Sequence, residues 1–210
     1  MTARDSDRLI IEDGDADTRG IAAYEATRRD AVRRGLVAGG AVIGAALVPA
    51  LLSVRGAFAA AQTDTAILAS AIRLENTAVA AYAAAVKSGV LTPQFRRTAE
   101  LFGRQEAEHA AALTAALKGL GGTPPTGTEA KLLAPLGRAR SQKQVAEFAI
   151  QLEMMAVAAY YDASKLLRHA RLLQTSAQIM ANEGQHLVIL RQALAKDPVP
   201  RAFENGKASG

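Results

Sequence analysis

Two Glu-x-x-His pairs, Glu106–His109 and Glu183–His186, use two of the three histidines in the chain. Two more glutamates, Glu75 and Glu153, lie in a repeated nonapeptide. It reads LENTAVAAY at 74–82 and LEMMAVAAY at 152–160, identical at seven of nine positions. Helical residues three apart share a face, so each Glu-x-x-His pair aims a carboxylate and an imidazole at one point. All four glutamates stand among alanines and aliphatic residues, in stretches patterned for burial. Desolvating one ionised carboxylate costs several kcal/mol unless it is paired. Two dications would set +4 against the −4 of four carboxylates, and two imidazoles would complete the coordination. A carboxylate can also bridge two ions through its two oxygens. The simpler alternatives are an arginine partner for Glu75 or Glu153, such as Arg73 or Arg104, and core-packed histidines. Those alternatives must explain six positions one at a time, whereas a metal pair explains them together.

Four long segments with helical periodicity position these residues. The first runs from about Asp64 to Lys87. The second opens at Thr92-Pro93, an N-cap followed by proline at the first helical position, and stops at Gly119. The third begins at Ser141, with Gln144 as its capping-box partner, and continues to about Lys165. The fourth follows a weakly marked turn at Arg168-His169 and ends before Asp197-Pro198. One apolar face of the first helix carries Leu68, Ile72, Glu75, Val79 and Tyr82, and the second carries Phe95, Phe102, Glu106, His109 and Leu113. The corresponding faces of the other two carry Ile150, Glu153, Val157 and Tyr160, then Ile179, Glu183, His186 and Leu190. The nonapeptides repeat at an offset of 78 and the Glu-x-x-His segments at 77, so the halves read as duplicated hairpins. Residues 120–140, with Pro124, Pro125 and Gly127, are long enough to cross the bundle. The expected fold is all-α: a four-helix bundle of two helical hairpins joined by a long crossover.

Composition agrees with this reading. Half the residues are hydrophobic and only 4 % are aromatic, a mixture that favours helices. The absence of cysteine excludes a disulfide framework, a zinc–cysteine site, an iron–sulfur cluster and a thiol nucleophile. Residues 1–59 carry eight basic and eight acidic side chains, so the net charge of +5 comes from residues 60–210. No basic run interleaved with aromatics appears, so no specific nucleic-acid partner is expected.

The first sixty residues read as an address. Arg28-Arg29 precede an apolar run from Gly35 to Val54, and Ala57-Phe58-Ala59 follows as a small-x-small cleavage pattern. The paired arginines, the weakly hydrophobic core and Arg55 near the cleavage site resemble a bacterial twin-arginine (Tat) export signal. Ala31 and Val32 stand where that pattern carries Phe and Leu. The alternative is an uncleaved membrane anchor, because twenty apolar residues just span a bilayer. The domain expectation is therefore residues 1–59 as disordered N-terminus plus signal, 60–200 as the helical domain, and 201–210 as a tail. A chain so exported goes to the periplasm, the cell envelope or the exterior, already folded.

One Glu, a Glu-x-x-His, a second Glu and a second Glu-x-x-His on four successive helices resemble the dinuclear carboxylate signature of the ferritin-like superfamily. The resemblance is to its symmetric bacterioferritin and rubrerythrin arrangement, over about residues 64–196. It implies that Glu75, Glu106, His109, Glu153, Glu183 and His186 are metal ligands. Glu106 and Glu183 would bridge, and the other four would each close one metal. The implied cofactors are two ions of iron or manganese, which suit oxygen and nitrogen donors without sulfur. The implied chemistry is Fe²⁺ oxidation or the reduction of O₂ or peroxide; a non-catalytic, metal-binding or structural envelope module is the alternative. The implied partners are the Tat machinery and a small oxidant, O₂ or H₂O₂, with a homo-oligomer left open. Rubrerythrin itself is argued down by the missing cysteines, and a cage-forming fifth helix by the tail PVPRAFENGKASG. Tyr82 and Tyr160 read as core tyrosines, with hydrogen bonding to the cluster or radical chemistry as alternatives. His169 reads as an exposed turn residue, Glu108 and Gln185 as facing a neighbouring helix or solvent, and Met154 and Met155 as packing.

Overall fold

A computed structural model describes residues 63–206, together with Gly56. The expected N-terminal extension and export signal otherwise lie outside the described residues, as do 207–210. The elements are α1 (Asp64–Lys87), α2 (Pro93–Gly119), the single turn α3 (Ala130–Leu133), a 3₁₀ turn (Leu136–Arg138), α4 (Gln142–Ala163) and α5 (Ala170–Ala193). Among the described residues no helix is long and apolar enough to cross a membrane.

Local chemistry sets most of the boundaries. Thr63 and Thr92 cap α1 and α2 by accepting from the N–H groups of Ala66 (3.2 Å) and Phe95 (3.4 Å). Gly121, at φ +76°, ends α2 with the Gly122 N–H returned to the Leu117 carbonyl at 2.9 Å. Ser141 caps α4 through the Gln144 N–H at 3.3 Å. The reciprocal bond of the expected capping box is displaced by one residue: Gln144 Oε1 accepts from Arg140 N–H at 2.7 Å. The start of α5 has no side-chain cap of its own. Asp64 supplies one from the first turn of α1, accepting from the N–H groups of Arg168 (3.0 Å) and His169 (3.1 Å) and pairing with the His169 ring. Burial would raise the Asp64 carboxyl, but these bonds hold it below its ordinary value. His169 is therefore exposed, as expected, and also tethered.

The topology follows from which ends meet. Asp64 at the start of α1 touches the start of α5, and Gln142 at the start of α4 accepts from Thr92 N–H at the start of α2 (2.8 Å). Hence α1 runs parallel to α5, and α2 parallel to α4. The hairpins α1/α2 and α4/α5 are the most closely packed pairs, and α1 lies against α4. Since α2 and α4 run the same way, the chain must travel the length of the bundle between them. Residues 120–141 do this while docking on α1. Leu132 and Leu136 are buried, each contributing about 1.5–3 kcal/mol. The Pro125 carbonyl accepts from Asn76 (3.4 Å), Glu129 N–H donates to Thr77 Oγ1 (2.8 Å), and Glu129 pairs with Arg73 (3.7 Å).

Past α5 the chain turns back, and no further helix follows among the described residues. Arg191, 7 % exposed, pairs with Glu204 at 2.8 Å. Gly206, at φ +66°, lies so close to the Met154 carbonyl and Ala158 that a Cβ there would overlap both. The two positions at which the nonapeptides differ thus have different neighbours. Asn76-Thr77 holds the crossover, whereas Met155 fills the core and the Met154 carbonyl supports the tail.

Thr77 is fully buried and also donates to the Arg73 carbonyl at 2.6 Å. Thr77→Val keeps the shape and strands the Glu129 N–H. It is expected to lower the unfolding free energy by about 1–3 kcal/mol in urea denaturation, and an unchanged midpoint would contradict the docking role.

Candidate metal centre

The bundle brings all six predicted residues to one place. Glu75 and Glu153 come from the middles of α1 and α4, and the two Glu-x-x-His pairs from α2 and α5. The four glutamates and His186 are 0–1 % exposed, and the His109 side chain is 13 % exposed. Two sets form: Glu75, Glu106, His109 and Glu183, and Glu106, Glu153, Glu183 and His186. Within each set one potential ligand atom per residue lies within 4.8 Å of the others.

Glu106 and Glu183 belong to both sets because each carboxylate splits its oxygens. Glu106 Oε2 faces His109 Nδ1 (3.3 Å) and its Oε1 faces His186 Nδ1 (3.1 Å). Glu183 Oε1 faces His109 Nδ1 (3.3 Å) and its Oε2 faces His186 Nδ1 (3.1 Å). Glu75 Oε2 lies 3.7 Å from His109 Nδ1, and Glu153 Oε1 lies 3.4 Å from His186 Nδ1. The arginine alternative does not hold for Arg73, which pairs with Glu129.

Convergence is not the same as hydrogen bonding. Glu106 Oε1, both oxygens of Glu183 and His186 Nδ1 are buried without a hydrogen-bond partner. Such orphaned groups ordinarily cost about 1–3 kcal/mol each, more when charged. They share one small volume and are all lone-pair donors, so the residues present fit a pair of cations. In the protein alone, protons carry the compensating charge. Burial, only partly offset by His109, pushes Glu75 up to about 8, and burial beside Glu153 and Glu106 raises Glu183 well above its ordinary value. Burial would also raise Glu106, but the close His109 and His186 rings bring it down to about 2. The imidazoles respond in the opposite sense. Burial would lower both, yet Glu106 and Glu183 with Glu75 carry His109 up to about 12, and Glu106, Glu153 and Glu183 carry His186 up to about 11.

A second layer surrounds the six. Tyr82 on α1 donates to Glu153 on α4, and Tyr160 on α4 donates to Glu75 on α1. Both tyrosines are buried, and burial beside these carboxylates raises both phenols. They are core tyrosines and cluster tyrosines at once. Each lies seven residues, about 10 Å, beyond its own helix's glutamate, so the crossed bonds require α1 and α4 to run antiparallel. Gln105, which the sequence reading passed over, accepts from His186 Nε2 at 2.8 Å. Phe102 stacks on the His186 ring (centroids 3.8 Å apart, 22°) and meets the Tyr82 ring edge-on (5.7 Å, 85°). The available signal for Gln105 was its place next to Glu106, but adjacency alone does not say which way a helical side chain turns. Glu108 and Gln185 are exposed, and Met155 is buried in the core.

A family model described as a ferritin-like domain matches residues 63–196. No curated protein and no solved structure matches the chain. The matched segment spans all four long helices and every residue of the carboxylate–histidine cluster, and this chain belongs to the ferritin-like domain family.

Proposed function

We propose that this chain is an exported dinuclear metalloprotein that uses iron or manganese to oxidise Fe²⁺ or to reduce O₂ or peroxide. The observation that carries the reading is the pair of shared glutamates. Glu106 and Glu183 each offer one oxygen to either histidine, and three of their four oxygens have no hydrogen-bond partner. Glu75 and His109 would close one metal position, and Glu153 and His186 the other. When bound, two redox-active ions supply the two electrons that O₂ or H₂O₂ consumes.

The chain's own residues set the conditions for that chemistry. Tyr160 and Tyr82 hold the terminal carboxylates from the opposite half, so neither glutamate swings free. Phe102 and the flanking alanines keep bulk water from the carboxylates, which strengthens every charge interaction inside. Export rests on the Arg28-Arg29 segment and the apolar run behind it, and it places the site in the periplasm or envelope.

Four outcomes test this reading. Reconstitution with Fe²⁺ or Mn²⁺ should give two metal ions per chain by elemental analysis. Fewer than about one would remove the site itself. The loaded protein should consume O₂ or H₂O₂ faster than a Glu75→Ala/Glu153→Ala variant; equal rates would leave a non-catalytic metal or structural module. Tyr82→Phe and Tyr160→Phe preserve shape, and each should weaken metal binding by about 10- to 100-fold in equilibrium titration while leaving the helical circular dichroism unchanged. Binding at wild-type strength would make them packing residues. Finally, Arg28→Lys/Arg29→Lys should retain the protein in the cytoplasm on fractionation, and undiminished export would exclude the Tat route.

A further inference from the structure

The two halves of the cluster repeat in sequence, but their surroundings do not. Around His186, Gln105 Oε1 accepts from Nε2 at 2.8 Å, so that nitrogen is engaged as a donor and Nδ1 is the one turned toward the carboxylates. Nδ1 is also one of the orphaned buried atoms, and Phe102 covers the flat face of the ring. The His186 side chain is 1 % exposed.

At the 77-residue offset, Asn182 stands in the place of Gln105 and Ile179 in the place of Phe102. Asn182 is one methylene shorter and turns along its own helix, donating to Gln185 Oε1 at 3.2 Å. Isoleucine has no ring face to stack. The polar contacts described for His109 run through Nδ1 to carboxylates, and its side chain is 13 % exposed. The two ligand sets repeat, but at these two neighbouring positions they differ, and the His186 side is the more enclosed.

Resting on the dinuclear reading above, we infer that the metal positions are inequivalent, with Gln105 the positioning residue that locks the Glu153–His186 position while metal enters and leaves through the Glu75–His109 position. Gln105 acts through His186 alone. It holds the ring's orientation and engages Nε2 as the donor, so His186 would stay aimed at a metal there, and the ion would have to leave a preset ligand inside a packed wall. Among the described residues His109 has no such brace, and it lies nearer solvent.

The test uses the full chain loaded with two equivalents of Co²⁺, whose visible spectrum reports each ion, and challenged with excess chelator. The expected release is biphasic, one ion per phase, the slow phase about 10- to 100-fold slower. Gln105→Leu should abolish that difference by accelerating the slow phase alone. Gln105→Glu, which retains an acceptor oxygen, should keep it. In the proton NMR spectrum of the Co²⁺ form, one paramagnetically shifted imidazole N–H should exchange slowly with solvent and become fast in Gln105→Leu. A purely structural role for Gln105 would not move that resonance. Two ions leaving in one phase would overturn the inference and leave the dinuclear reading standing. Failure to take up two ions would overturn both.

Discussion

Six ionisable side chains share one desolvated volume in this bundle, and the rest of the structure is arranged around making that tolerable. A buried carboxylate is stable only if a proton, a donor or a cation answers it. Here protons answer some, two tyrosines answer others, and several buried atoms of Glu106, Glu183 and His186 have no hydrogen-bond partner among the described residues. That remainder is compatible with a bound cation and sets the cluster apart from a closed salt-bridge network. In a purely structural network, burial selects geometries that close every bond. This one converges with its lone pairs unspent.

Holding such a cluster requires register more than affinity between helices. A rotation of α2 by one residue would turn both Glu106 and His109 off the axis, since successive helical positions differ by about 100°. Register is fixed from outside the cluster. Thr92 with Pro93, and Ser141 with Gln144, start α2 and α4 at defined residues, and the Thr92–Gln142 bond ties those starts together. At α1 and α5 the same task falls to Asp64, which caps its neighbour across the end of the bundle.

These arrangements were unequally legible in the sequence. The four helices, the shared apolar face and the six converging residues could be read because they depend on local period and local caps. Arrangements governed by distant neighbours could not. The start of α5 looked weakly marked because its cap comes from Asp64, about a hundred positions earlier in the chain. Nothing in the repeat itself marks Asn76-Thr77 as the dock of the crossover, and Gly206, within the expected tail, meets the Met154 carbonyl. The stripe reading also gave each helix one buried face. In fact α4 is buried over most of its circumference, including Phe148, Leu152, Met155, Ala156 and Ala159. A second apolar face spreads hydrophobic residues around the helix and so flattens the periodic signal, yet close helix packing depends on it.

The tyrosine kept by both nonapeptides follows from the same reasoning. In a duplicated hairpin, a residue that served its own half would lie near its own glutamate. Tyr82 and Tyr160 instead stand two turns away, at the distance where an antiparallel copy brings its glutamate alongside. Each half therefore completes the other. An isolated hairpin would keep one glutamate and one Glu-x-x-His pair but would leave its terminal carboxylate without a donor. It would also supply one shared glutamate where the cluster needs two. The repeat is conserved between the halves where they face each other across the cluster, and it diverges where crossover, tail or Gln105 gives each half a different neighbour. Symmetry builds the site, and the departures from symmetry distinguish its two positions.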